Sequence, residues 1–276
     1  EERKIPDHLY PSQASAYLPC KECEGSGLVP VPATNPTKMG SEKCPACKGE
    51  KVQLVGPCMR KLYWQYRGEP ITNPTDLAGY IKMAIGNGIE EWLTKRLKLA
   101  LAAFDQQPVR CTKFTTRMIS GRADAFYIDP ESNDVLILLP LEIKSSTDRW
   151  IKKIKSGGDI PPAWWLQMVC YLMMAKLQWP WFDPPNAVFI GIGRDNGYHT
   201  QINVPVSWNV IWNVFQAIVA RWVELENWLS VDQELPPPEW AEINDGYTKY
   251  PCTYCYYRDK CQECGIGAGG TDNGEG

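Results

Sequence analysis

Between Gly121 and Ser146 the chain reads GRADAFYIDPESNDVLILLPLEIKSS, and into this mostly apolar stretch it sets Asp124, Glu142 and Lys144. Two carboxylates and an ammonium among apolar neighbours are costly unless a cation or hydrogen bonds compensate them. Residues two apart on a strand share a face, so a strand through Glu142 and Lys144 points both side chains the same way. Taken alone, Glu-x-Lys reads as a salt-bridged sheet edge, because surface ion pairs are common. The residues elsewhere in the chain favour a site.

Several elements must position this group. Phe126 to Ile128 and the apolar run from Val135 to Ile143 read as two strands joined by a turn over Pro130 to Asp134. Pairing as a hairpin brings Asp124 beside the second strand, where Pro140 removes a ladder donor and demands a bulge or an edge. Residues 75–104 have helical periodicity, with Leu77, Ile81, Ala84, Ile85, Ile89 and Trp92 at three- and four-residue steps. Gly86 and Gly88 inside that helix point to the close approach of another element, and either Glu90 or Glu91 could add a third carboxylate. Pro161 and Pro162 start a further helix, on which Gln167 and Tyr171 share a face. A Gln among so many apolar neighbours needs a partner. Two strands follow, over Asn186 to Arg194 and Tyr198 to Pro205, joined at Asp195-Asn-Gly197. A long amphipathic helix over Ser207 to Leu229 precedes a Pro-rich linker, Leu235 to Pro238. Arg149, Lys152, Lys153 and Lys155 form a basic patch, either a solvated face or a contact to phosphate.

The cysteines carry a second chemistry. There are 11 of them in 276 residues, against 2 histidines, His8 and His199. An odd count, arranged as Cys-x-x-Cys with no visible secretory signal, reads as metal ligation and a cytoplasmic setting rather than a disulfide framework. Cys20 and Cys23, then Cys44 and Cys47, have the spacing of a zinc site in which four thiolates close a tetrahedron. Their flanks resemble the cysteine-rich zinc repeats of DnaJ-type chaperones, which implies zinc; such modules serve as a clip or a docking surface for a partner protein. Cys252, Cys255, Cys261 and Cys264 could close a second, local zinc knuckle. The net charge of −3, with 44% hydrophobic and 22% charged residues, excludes an all-over basic surface but leaves room for a local groove. No apolar run is long enough to span a membrane.

The ordered set Glu90, Asp124, Glu142-Ile143-Lys144 and Gln167-x-x-x-Tyr171 resembles the PD-(D/E)xK nuclease superfamily. Within it, the chain is similar to the branch of RecB-type nuclease domains, AddB and the CRISPR-associated exonuclease Cas-four. That branch also carries an iron–sulfur cluster on one early and three late cysteines, matched here by Cys58 in PCMRKLYW and by Cys252, Cys255 and Cys261. The resemblance covers residues 57–264. It departs from the branch at Glu90, where a histidine is usual.

This resemblance implies an α/β fold: a restriction-endonuclease-like core, a central mixed sheet flanked by helices, with a small zinc module before it. The division expected is an N-terminal surface arm over 1–19, the zinc module over 20–56, the nuclease domain with its cluster over 57–264 and a disordered tail over 265–276. Asp124, Glu142, Glu90 and the Ile143 carbonyl would hold Mg²⁺ or Mn²⁺, and Lys144 would orient the attacking water. Gln167 and Tyr171 would brace the site, while Arg60, Lys61, Lys152 and Lys153 would track DNA phosphates. The 4Fe–4S cluster would staple the end of the domain to its beginning. The activity implied is a metal-dependent exonuclease on single-stranded DNA or DNA ends, in recombination, repair or CRISPR adaptation, with phage among the sources. Two rivals remain: a catalytically silent DNA-binding or docking subunit on the same fold, and a zinc-ribbon adaptor.

Overall fold

A mixed four-stranded sheet forms around the run that ends in Glu142 and Lys144 in the computed structural model of the chain. The structure describes residues 8–19, 28–32, 39–43, 50, 52–101, 109–111, 118–121, 125–128, 138–231, 235–244 and 246–264. In chain order the strands are β1 (His8–Leu9), β2 (Ala16–Pro19), β3 (Leu28–Pro32), β4 (Met39–Lys43), β5 (Val52–Val55), β6 (Val109–Cys111), β7 (Met118–Gly121), β8 (Ala125–Ile128), β9 (Leu138–Ser146), β10 (Asn186–Gly193) and β11 (His199–Pro205). The helices are α1 (Met59–Tyr66), α2 (Leu77–Leu101), α3 (Asp148–Lys155), α4 (Pro162–Gln178), α5 (Trp208–Ser230), α6 (Glu239–Asn244) and α7 (Arg258–Glu263). None of the described helices is long and apolar enough to cross a membrane.

The main sheet has the order β11-β10-β9-β8. The expected hairpin is present: β8 lies antiparallel to β9, from Ala125 opposite Leu141 to Ile128 opposite Leu138. β10 lies parallel on the other side of β9, which requires the crossover supplied by α3 and α4. That parallel pairing begins at Leu141. Pro140 therefore stands where β9 has a neighbour on one side only, and the ladder tolerates its missing donor.

The core lies between α4, α5 and α1. α4 is buried from Met168 to Ala175 without a polar stripe, as befits a helix enclosed on all sides. α5 turns Ile211, Phe215, Ile218, Trp222 and Leu225 inward, and α1 adds Met59, Leu62 and Trp64.

One expectation is corrected here. The described part of the expected arm, residues 8–19, is not at the surface throughout: Leu9, Ala14 and Ala16 are buried in the core, β1 pairs with β7, and β2 pairs with β5. Its apolar residues are short and show no period, so patterning does not reveal their burial. The apolar stripe of α2 is also largely uncovered among the described residues, with Leu77 at 76% and Trp92 at 59% exposure. α2 meets the sheet near Gly86 instead, where an added Cβ would lie 2.7 Å from Ser145 Oγ.

β3 and β4 form a small hairpin of their own, Leu28 opposite Lys43. It is nested inside the β2–β5 ladder, whose last pair is Pro19 with Val52. Cys20, Cys23, Cys44 and Cys47 lie outside the described residues, in the two connections between these ladders.

Candidate active site and cysteine site

On β9 the Glu142 carboxylate is 1% exposed and makes an ion pair with Lys144, whose side chain is 20% exposed. A carboxylate this deep is stable only beside a cation. Asp124 lies outside the described residues, and the pair next to it in sequence is Ala125 with Leu141.

Alternation along β9 sorts the helices by face. Glu142 and Lys144 share a face with their β10 neighbours Phe189 and Gly191. Phe189 belongs to the core that contains α4, and Ile151 of α3 lies over Gly191. Ile143 and Ser145 face the other way, beside Ile190 and Ile192, which line a pocket of about 510 Å³ with Ile89, Trp92 and Leu93 of α2. The structure thus places α2 on the far side of β9 from Glu142 and Lys144. Glu90 is half-buried on that helix, and the ion set expected with it includes Asp124, which lies outside the described residues. Glu91 points away from the sheet, paired with Lys95 at 2.6 Å, and that ammonium lowers its carboxyl below the ordinary range.

Gln167 and Tyr171 do meet. The Gln167 amide donates to the Tyr171 hydroxyl at 2.9 Å, on the helix packed against β9 from the Glu142 side. α3 is held tightly over β10: Asp148 accepts from the amides of Asp195 and Asn196, and a Cβ at Gly193 would fall 1.9 Å from its carboxylate. From this seat Lys152 and Lys155 reach over the Tyr198 ring at 5.4 and 5.1 Å, and Lys153 over Trp150 at 5.1 Å. A groove of about 1170 Å³ opens beside them, lined among others by Ser146, Trp150, Lys153, Lys61 and Cys58. Ser146 shares the face of Glu142 and Lys144, so the groove meets the strand on the side of the ion pair.

The far wall of the groove is the cysteine site. Cys58 immediately precedes α1, Cys252 opens a 3-10 turn ending at Tyr254, Cys255 follows it, and Cys261 sits on α7. Burial pushes the Cys58 thiol up to about 12, with Cys255 and Cys261 adding to the rise. Burial likewise pushes Cys252 up to about 11, again with Cys255 and Cys261 adding. Cys261 is raised by burial, against the pull of Arg60. Cys255 and Cys261 thus lie near enough to act on both Cys58 and Cys252. A group that takes thiolates would reverse this cost, and four soft sulfurs suit iron–sulfur chemistry. Among the described residues no three His, Cys, Asp or Glu side chains gather into a single-ion site. The C-terminal segment is tied to the chain after α1: Thr72 and Asn73 donate amides to the Tyr256 carbonyl, and Asn73 and Asp259 exchange hydrogen bonds at 2.8 Å.

Arg60 departs from the expected phosphate contact. It is 1% exposed, donates to the Pro236 carbonyl, and is enclosed by the core rather than open to a ligand strand. Lys61 is half-buried, with its ammonium 5.6 Å from the Tyr256 ring, and remains on the groove.

A buried network behind Cys58 went unread in the sequence. Glu239 accepts from the Met59 amide at 2.6 Å, from the Tyr17 hydroxyl at 2.6 Å and from Arg221 Nη2 at 2.7 Å. It thereby caps α1 from outside that helix, next to Cys58. Burial, then Glu239, holds the Tyr17 phenol above its ordinary value. Burial opposes the Arg221 charge, but Glu239 outweighs it and the guanidinium is raised. One signal was available: Arg221 falls on the buried stripe of α5 between Ile218 and Leu225, where a lone cation requires an anion.

No protein-family model and no curated protein sequence matches the chain. Among solved structures it is similar to SSO0001, at 18% identity and TM-score 0.39, over 74% of this chain and 81% of that one. It is also similar to the alkaline exonuclease LHK-Exo from Laribacter hongkongensis, at 15% identity and TM-score 0.41, over 62% of this chain and 79% of that one. The same enzyme in complex with dAMP aligns at 16% identity and TM-score 0.43, over 62% and 80%.

Proposed function

We propose that this protein is a divalent-metal-dependent deoxyribonuclease, acting as an exonuclease on single-stranded DNA or DNA ends. The observation that carries the reading is the buried Glu142 paired with Lys144 on a central strand, whose last residue, Ser146 on the same face, lines a groove with Lys61, Lys153 and Trp150. The donor set is hard oxygen, suited to Mg²⁺ or Mn²⁺, with Glu142, Asp124 and the Ile143 carbonyl as its members. A bound ion would lower the pKa of a water and neutralise the scissile phosphate. Lys144 orients that water and stabilises charge developing on the phosphate oxygens. Tyr171, fixed by Gln167, braces the α4 side. Lys61 and Lys153 hold backbone phosphates along the groove, with Lys152 and Lys155 adding charge at its rim, and Trp150 offers a ring on which an unpaired base can stack.

The cysteine site belongs to the same reading. Cys58, Cys252, Cys255 and Cys261 would hold a 4Fe–4S cluster, which spreads its ligands around a polynuclear core rather than gathering them on one ion. Cys20, Cys23, Cys44 and Cys47 would hold zinc. The test is degradation of end-labelled single-stranded DNA with Mn²⁺ or Mg²⁺, comparing anaerobically purified protein with Lys144→Ala and Glu142→Gln. Both substitutions should remove at least about a hundredfold of the activity, since each deletes a charge acting on the reacting phosphate. Iron-loaded protein with no activity, or variants as active as the parent, would transfer the assignment to a DNA-binding subunit.

A further inference from the structure

Arg60 is enclosed beside the cysteine site and held there at several points. Its Nε donates to the Pro236 carbonyl at 2.6 Å, and its Nη1 lies 3.9 Å from the Cys261 sulfur. The Trp64 ring sits 6.0 Å from the guanidinium carbon and is itself buried against Tyr257, ring centroids 5.7 Å apart. Guanidinium is a rigid planar fork, so anchoring Nε on a carbonyl decides where Nη1 points. Here it points at a sulfur.

We propose that Arg60 sets the reduction potential of the cluster on Cys58, Cys252, Cys255 and Cys261, by donating to the Cys261 sulfur and fixing a positive charge beside it. The inference rests on the cluster reading above. Such potentials follow net charge, hydrogen bonds to sulfur and solvent exposure. One electron from an external mediator enters the cluster on reduction, and no bond is made or broken. The added negative charge interacts favourably with a cation held nearby at low dielectric, so the reduced form gains more than the oxidised form. Cys261 is 8% exposed and Arg60 is 1% exposed, so water screens the interaction little. Lys61 and Lys260 also lie near, over the Tyr256 and Trp64 rings, but both are partly exposed and better screened.

The experiment is an anaerobic redox titration of the full chain, loaded with iron and sulfide and followed by electron paramagnetic resonance. Arg60→Gln should lower the ratio of reduced to oxidised cluster at a fixed potential about tenfold, a midpoint shift of about 59 mV for one electron. Arg60→Lys keeps the charge but cannot span both Pro236 and Cys261, and should shift it less. Equal midpoints for the parent and Arg60→Gln at equal iron content overturn the inference and leave the cluster reading standing. A parent protein that takes up no iron overturns both. Should the variants fail to fold, the loaded parent labelled with ¹⁵N-arginine answers instead. Nitrogen coupling to the reduced cluster supports the assignment, and its absence refutes it.

Discussion

Glu239→Ala removes one carboxylate that serves three donors. The Met59 amide, the Tyr17 hydroxyl and Arg221 Nη2 all converge on it within 2.7 Å, and Glu239 and Arg221 are each 4% exposed. Removing one member of a buried pair leaves an uncompensated charge and costs about 3–5 kcal/mol. Losing the N-terminal cap of α1 accounts for about 1 kcal/mol within that figure. Glu224 still holds Arg221 Nη1 at 2.7 Å, and its side chain is 41% exposed, so a partly wet anion remains to share the charge. The expected loss is therefore near the lower end, about 3 kcal/mol. Urea unfolding of iron-free protein measures it, read as a shift in midpoint at constant m. Adding Arg221→Met should restore at least about 1 kcal/mol relative to the sum of the single losses, because the stranded cation is gone. A loss below about 1 kcal/mol in Glu239→Ala, or strict additivity in the double variant, would refute the argument.

Two other outcomes follow from local geometry. Gly86→Ala drives a methyl toward Ser145 Oγ at 2.7 Å and should lower both stability and activity, with Ser145→Gly restoring them; Gly88→Ala meets nothing within 4 Å and should stabilise α2 by about 0.5–1 kcal/mol. Thermal unfolding of the single and double variants checks both. Burial raises the Cys170 thiol well above its ordinary range. In the unfolded chain it ionises near about 8.5, so above that pH the unfolded state releases a proton that the folded state keeps. Stability should fall with rising pH by up to about 1.4 kcal/mol per unit from this thiol, and Cys170→Ala should flatten the slope measured between pH 8 and 10.

The hairpin through Glu142 was legible because apolar content and turn residues both changed along the sequence, and Glu-x-Lys fixed which face its charges share. The Gln167–Tyr171 contact was legible from helical spacing alone. The side of the sheet taken by α2 was not, because periodicity gives a helix its faces but says nothing about which sheet face it meets. Gly191 and Gly193, where α3 presses onto β10, offered a signal that went unread: small residues in a strand mark a close neighbour. Arg60 was misread because an Arg beside a Lys near a cysteine looks solvated, and only the fold brings the Pro236 carbonyl to it. Glu239 follows a Pro-rich linker and looks exposed for the same reason. Two of its partners, Met59 and Tyr17, come from distant parts of the chain, beyond the reach of any local pattern.

The nested ladders change what the cysteine-rich segment is. β2 and β5 leave the chain at Pro19 and return it at Val52, directly opposite one another. Neighbouring strands lie about 4.8 Å apart, close enough for a short turn to bridge. Residues 20–51 are thus an excursion from the tip of a hairpin, while the strands beneath it carry Ala16 and Leu54 of the core. Trimming the chain from its start would strip away core strands together with the cysteines, whereas looping out the excursion would leave them in place. The same geometry makes this a point where a lineage can acquire, exchange or shed an inserted module while the body of the protein stays unchanged.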